Sequence, residues 1–228
     1  MTENILLLRH YIFINPTNIF EDINNETVLD DIKKVHSKYY VHGEIVKYYG
    51  YNDVVCLLNG YDKQLCRLFT EINYNYPALL ADIGRLIILY KYGGVYHDLK
   101  CISNKKMIDY LNSVPPDIQL IGDEHPIEKY RVRNTNIVAL QKNCRFISLV
   151  LQKLKHKLLS KRDAFGPHMV FEIGSFTFIR EFLENTSEPI FKYPFHNDCM
   201  ITFHPDIYVK NIKKWQHTHE YIFRKLGA

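Results

Sequence analysis

From Ile5 to Ile14 nearly every position is apolar or aromatic, the pattern of a buried strand. Thr27–Tyr40 instead places Val28, Ile32, Val35 and Tyr39 at helical spacing and predicts a helix. Val54–Leu58 is a short apolar run closed by Asn59-Gly60, which reads as a strand and a turn. Asp62 is placed to cap a helix over Lys63–Ile72. Pro77 predicts the first turn of the next helix, Ala78–Tyr92, and Gly93-Gly94 its end. Val95–Leu99, Ile118–Ile121 and Asn136–Leu140 have β character, and Cys144–Leu159 the stripe of a long amphipathic helix. Gly166-Pro167 opens a further helix toward Leu183, and Tyr193–Phe203 is strand-like. The tail from Asp206 to Ala228 carries Trp215, His217 and His219.

Strands that alternate with helices predict an α/β domain with a mostly parallel central sheet flanked by helices. Such sheets bind ligands beyond the carboxyl ends of their strands. The Val95–Leu99 strand puts the Asp98 carboxylate at such an end. With no repeat, linker or shift in composition, residues 1–228 read as a single domain.

Composition narrows the function classes. A hydrophobic share of 46% suffices for a sizeable core, and the 14% aromatic share, mostly tyrosine, suits stacking surfaces. A net charge of +4 is too mild for a nucleic-acid partner but fits a phosphate-bearing one. Lys153–Lys161 and Lys210–Lys214 read as solvated helix faces. Five cysteines without a CxxC pair argue against a disulfide scaffold or zinc ribbon and for a reducing compartment. Arg9 and His10 interrupt the first apolar run, so a leader peptide or membrane span is not expected there, and the cytoplasm is the expected location.

The chemistry concentrates in Ala81–Lys100. Asp82 and Arg85 lie three apart on one helix face, where they either pair with each other or bind a ligand together. Gly93-Gly94 lets the chain turn tightly and bring backbone close to whatever lies there. The following strand delivers Asp98. Together these residues have the types needed to hold a sugar hydroxyl, a diphosphate and a cation.

This segment resembles the DXD-containing sugar-transferase family that includes fungal initiation-type mannosyltransferases and is akin to clostridial glucosylating toxins. The family pattern is a small residue, Asp-x-x-Arg, an apolar helix, then Tyr-x-x-Gly-Gly-hydrophobic-Tyr-x-Asp-x-Asp. The chain matches it at Ala81, Asp82, Arg85, Tyr90, Gly93, Gly94, Val95, Tyr96 and Asp98. Arg133–Leu140 is similar to the family's asparagine-bearing strand, and Gly166-Pro167 to the start of a later helix. In length the chain is similar to compact members encoded by large algal viruses. The resemblance implies a GT-A-like nucleotide-diphospho-sugar transferase. Such an enzyme moves a hexose-type sugar from a UDP-sugar to a glycan or glycoprotein hydroxyl, with retention. It implies that Asp82 binds donor hydroxyls, that Arg85 holds the sugar or diphosphate, and that Tyr96 lines the nucleotide site with Gly93 and Gly94 beside it. Asp98 would face ribose and a divalent metal, Mn²⁺ or Mg²⁺. Asn136, or Asn134, would reach the donor sugar or else cap a strand end.

One position departs from the pattern: Lys100 stands where the second acid belongs. A lysine cannot ligate a cation. Another residue could replace the acid, the ammonium could itself neutralise the diphosphate, or the chain could bind without turnover. Because strand residues two apart point the same way, Lys100 is expected to face the site beside Asp98, or to pair with it. His217, near Trp215 and His219, is the candidate replacement metal or phosphate ligand; a polar surface tail is the other reading. Asp123 and Glu124 after the Ile118–Ile121 run, and His168 after Gly166-Pro167, are further candidates for acceptor or site contacts, or are ordinary loop and helix-start residues.

Overall fold

The structure is a computed structural model that describes residues 8–14, 23–115, 117–124, 132–174, 190–193, 200–203 and 220–224. In chain order its elements are β1 (Leu8–Ile12), α1 (Ile23–Ser37), β2 (Ile45–Tyr49), α2 (Tyr51–Tyr61), α3 (Lys63–Glu71), α4 (Pro77–Tyr92), β3 (Gly94–His97) and β4 (Cys101–Ser103). There follow α5 (Lys105–Ser113), β5 (Leu120–Glu124), β6 (Val132–Ala139), α6 (Arg145–Ser160), α7 (His168–Ile173), β7 (Ile190–Tyr193) and β8 (Ile201–Phe203).

The main sheet has six strands in the order β2-β1-β3-β6-β5-β7. β1 runs parallel to β2 and β3, and β5 parallel to β7; β6 alone is antiparallel to its neighbours β3 and β5. The α/β architecture with a mostly parallel sheet is therefore the one expected. β4 and β8 form a separate antiparallel pair. Five strands of the main sheet point their carboxyl ends to one edge, which collects Ile12, Tyr49, His97 and Glu124.

α4 is the central helix. Pro77 occupies its first turn, and every residue from Asp82 to Leu89 is buried. A helix enclosed on all sides needs no polar face, so charged residues within it call for partners. Its apolar side chains join α2, α3, α6 and α7 and one sheet face, including Tyr96 and Ile137, in one core cluster. Gly93 ends the helix in the left-handed region (φ 66°), with its N–H on Leu89 O at 2.8 Å. Gly94 follows at φ 90°, where a side chain would meet Leu8 Cβ and O at 2.8 Å. The glycine pair thus lets β3 leave the helix directly against β1.

Three sequence expectations change. Val54–Leu58 is not a strand but the middle of α2. Asp53 accepts the Gly50 N–H at 2.8 Å at the helix start, and Val54 and Leu58 are buried one turn apart. The strand lies just upstream in β2. Asn104-capped α5, with Met107, Ile108 and Leu111 buried at helical spacing, went unrecognised, as did β4 before it. The helix after Gly166-Pro167 is short, ending at Gly174, and 175–189 lies outside the described residues.

Glu220–Arg224 ties two loops together. Ile222 O accepts from Asn73 N–H at 2.7 Å, and Ile222 N–H donates to Ala164 O at 2.8 Å. Tyr76 donates its hydroxyl to Glu220 O at 2.7 Å, and Arg224 N–H bonds Glu71 O at 2.8 Å. Asn73 and Asn75 both donate to the Glu220 carboxylate, at 2.7 and 2.8 Å. The loop that leads into α4 is therefore fastened from a distant part of the chain.

Candidate active site

α4 and the end of β3 bring Asp82, Arg85, Tyr96 and Asp98 together. Arg85 Nη2 lies 2.8 Å from Asp82 Oδ1 and 3.7 Å from Asp98 Oδ1. Its Nε donates to Ala81 O at 3.3 Å. The guanidinium stands 4.7 Å from the centre of the Tyr96 ring, a cation–π contact in a dry setting. The Tyr96 hydroxyl donates to Asp98 Oδ1 at 2.9 Å. Burial pushes the Tyr96 phenol well above its ordinary range, so it stays a neutral donor. Asp82 and Arg85 are nearly enclosed, whereas the Asp98 side chain is 32% exposed. Asp98 is thus the outward face of a buried, cross-braced group.

Behind Asp82 sits Gly174, the residue that ends α7. A methyl group there would overlap Asp82 Oδ2 and lie 2.6 Å from Val170 O. The later helix therefore supports the Asp82 carboxylate through a bare backbone. Pattern reading missed this contact, which joins positions far apart in sequence.

Other candidates are placed elsewhere. Gly93 and Gly94 open β3 while Asp98 follows its end, so about 13 Å of strand separates them. Their close approach is to β1, not to the cluster. Asn136 pairs with His97 on β6, whereas Tyr96 pairs with Ile137, so Asn136 points to the opposite sheet face from Tyr96. It is fully buried: its Oδ1 faces His97 Nδ1 at 2.7 Å, and its Nδ2 donates to Asp123 Oδ2 at 2.9 Å. Asp123 is thereby a buried partner of Asn136, not an open loop acid. The side chain of Glu124, and Asn134, His217 and its neighbours Trp215 and His219, lie outside the described residues or side chains. His168 opens α7, with its ring 3.2 Å from where a side chain on Gly166 would begin.

Lys100 does not continue the strand. β3 stops at His97, and Asp98–Lys100 form a turn closed by Cys101 N–H on Asp98 O at 2.7 Å. Strand alternation therefore does not govern Lys100. The turn itself keeps it near Asp98, half-buried.

The described residues do not by themselves suit a divalent cation. At Asp98 one oxygen already accepts the Tyr96 hydroxyl and faces Arg85, and the acid two residues on is replaced by an ammonium. No three His, Cys, Asp or Glu side chains gather as a metal group among the described residues.

On the opposite sheet face a second polar group is fully buried. Arg9 Nε lies 2.9 Å from Glu44 Oε1 and donates to Ser103 Oγ at 3.2 Å. His36 bridges Tyr48 Oη and Leu99 O, both at 2.7 Å. In the Asp123–Asn136–His97 chain the amide is fixed by its bond to the carboxylate. Its oxygen therefore faces His97, whose Nδ1 carries the proton. His97 Nε2 is buried without a hydrogen-bond partner among the described residues. Arg9 within an apolar run was the sequence signal for this seam, whereas His10, in register with Tyr96, points to the other face.

Burial, followed by the Arg9 charge, pulls His97 down to about 3. Burial also pulls His10 down to about 4, against its bond to Gly93 O at 2.8 Å. Both rings stay neutral in the fold, while in the unfolded chain they take protons near pH 6.5. Their stabilisation is complete above that pH and is lost as pH falls from about 6.5 toward 3–4. By pH 5 each costs roughly 2 kcal/mol. Urea unfolding at pH 7.5 and 5.0 should show that fall, and His97→Asn should reduce it. Equal midpoints at the two pH values would refute it.

Residues 12–121 match the family described as glycosyltransferase sugar-binding region containing DXD motif. Over those residues, just under half of its length, the chain is similar to that family. The family is one of enzymes, the glycosyltransferases, and the matched region contains Asp82, Arg85, Tyr96 and Asp98. No curated protein matches the sequence. Among solved structures the chain is similar to PaToxG glycosyltransferase, at 18% identity and TM-score 0.49, covering 80% of this chain and 71% of that one. It is similar to the UDP-bound glycosyltransferase domain of the YGT toxin at 12% identity and TM-score 0.36, covering 60% and 39%. Mouse xyloside xylosyltransferase 1 in its apo form follows at 10% identity and TM-score 0.44, covering 82% and 71%. Among the described residues no helix is long and apolar enough to cross a membrane.

Proposed function

We propose that this glycosyltransferase moves a hexose-type sugar from a UDP-sugar to a hydroxyl of a glycan or glycoprotein, with retention at the anomeric carbon. One observation carries the reading: within the family-matched region, Arg85 is braced by Asp82 and Tyr96 and presented beside the half-open Asp98 carboxylate. The site lies at the carboxyl edge of the sheet, where open α/β sheets take ligands. Asp82 and Asp98 are acceptors suited to donor-sugar and ribose hydroxyls. Arg85 supplies fixed positive charge toward a departing diphosphate, where negative charge develops. Its fixed partners hold it there without reorganisation.

Lys100 favours a second reading, a nucleotide-sugar-binding protein without turnover. Donor hydrolysis across UDP-, GDP- and ADP-sugars, with and without Mn²⁺, alongside UDP binding, separates the two. Turnover of a UDP-sugar supports the enzyme. UDP binding with no turnover of any donor supports the binding protein, and neither binding nor turnover overturns both.

A further inference from the structure

The residue types around Asp98 suggest how its charge is met. Two carboxylates, Asp82 and Asp98, stand against Arg85, and the turn after β3 places the cationic residue Lys100 two positions from Asp98. An acid at position 100, as a D-x-D motif requires, would leave three carboxylates against Arg85 alone. That deficit of two is the charge of one divalent ion. Carboxylates facing a diphosphate need a cation between them; in this chain the same count is reached with a side chain.

We propose that Lys100 is the resident cation of the donor site and binds the diphosphate directly, so that UDP binding needs no divalent metal. The proposal rests on the transferase reading above. The geometry supports it in four ways. The turn closed by Cys101 N–H on Asp98 O puts Lys100 beside Asp98 instead of one strand position further along. β4 begins at the next residue, Cys101, which is fully buried and paired with Phe203, so the turn is held at both ends. Lys100 is half-buried, two residues from Asp98, and carries its ammonium on a flexible stem that can reach a ligand. Asp98 Oδ1 is meanwhile occupied by the Tyr96 hydroxyl at 2.9 Å, which leaves that oxygen poorly disposed to a metal.

During transfer the anomeric C–O bond breaks and its electron pair goes to the β-phosphate oxygen. The acceptor oxygen forms the new bond, and its proton passes to the diphosphate or to solvent. Lys100 and Arg85 meet the charge that the diphosphate gains.

The test is calorimetric titration of UDP into the whole chain, once in EDTA and once with Mn²⁺, for the wild type, Lys100→Gln and Lys100→Asp. Wild-type affinity is expected to be the same in both conditions within about threefold. Lys100→Gln should bind about tenfold more weakly or worse in both, as a lost charge-assisted contact predicts. Lys100→Asp should lose binding in EDTA and regain it with Mn²⁺. Unchanged melting temperatures would show that the variants fold. Wild-type binding that appears only with Mn²⁺ overturns the proposal, as does an unweakened Lys100→Gln. No UDP binding by the wild type in either condition instead overturns the transferase reading beneath it.

Discussion

Arg85→Met is expected to destabilise the protein by about 3–5 kcal/mol, because it leaves the buried Asp82 carboxylate without its cation. Arg85 is 4% exposed and Asp82 8%, so water cannot replace the lost partner without opening the helix. The methionine keeps most of the packing volume against Tyr96, so the loss reports charge more than a cavity. Donor hydrolysis should fall by about 10²–10³, the usual cost of one preorganised electrostatic group. Arg85→Lys separates the two effects. It retains charge but not the planar fork that spans Asp82, Ala81 O and the Tyr96 face. It should regain much of the stability while hydrolysis stays low. Urea unfolding and a hydrolysis assay on the three proteins check this. An Arg85→Met protein as stable and active as the wild type would show that the braced cluster is neither structural nor functional.

Gly174→Ala should lower turnover by about 10²-fold while costing only about 1–2 kcal/mol of stability. The added methyl would overlap Asp82 Oδ2, and Val170 O at 2.6 Å closes the other way out. Either α7 shifts outward or the Asp82 carboxylate leaves its position at Arg85. Both change the Asp82–Arg85 distance on which donor binding would depend under the proposed function. Gly60→Ala is the control. Nothing lies within 4 Å of its would-be side chain, and it sits inside α2, so that change should be neutral or stabilising by about 0.5–1 kcal/mol. Full activity in Gly174→Ala would mean that α7 does not set the position of Asp82.

The site was legible where its logic is local. Asp82 and Arg85 lie one helical turn apart, Gly93-Gly94 fixes the exit from α4, and Asp98 follows at once, so one stretch of sequence specifies their meeting. The sheet was legible for the same reason, as alternating periods. What escaped depends on residues brought from afar. Val54–Leu58 has a strand's composition, yet Val54 and Leu58 pack as a helix face because β2 already occupies the sheet edge. Asn136 carries a plausible ligand-binding amide, but strand pairing with His97 turns it to the other face, where Asp123 claims it. Lys100 was expected to follow strand alternation and instead sits in a turn, because β4 must start two residues after Leu99 to meet β8. Gly174 gives no sequence signal at all, since its importance lies in the absence of a side chain opposite Asp82.

The clamp at Glu220–Arg224 also governs the order in which the protein can be made. α4 can bury its apolar sides as soon as the strands and helices around it exist. The loop ahead of it cannot close in its final form until Glu220 reaches Tyr76, 144 residues upstream. Contacts of that separation form late and slowly, because so much chain must be ordered first. A nascent chain that already holds Asp82, Arg85 and Asp98 therefore has the residues of the candidate site without their frame. Donor binding should appear during synthesis only after residues 220–224 have emerged from the ribosome.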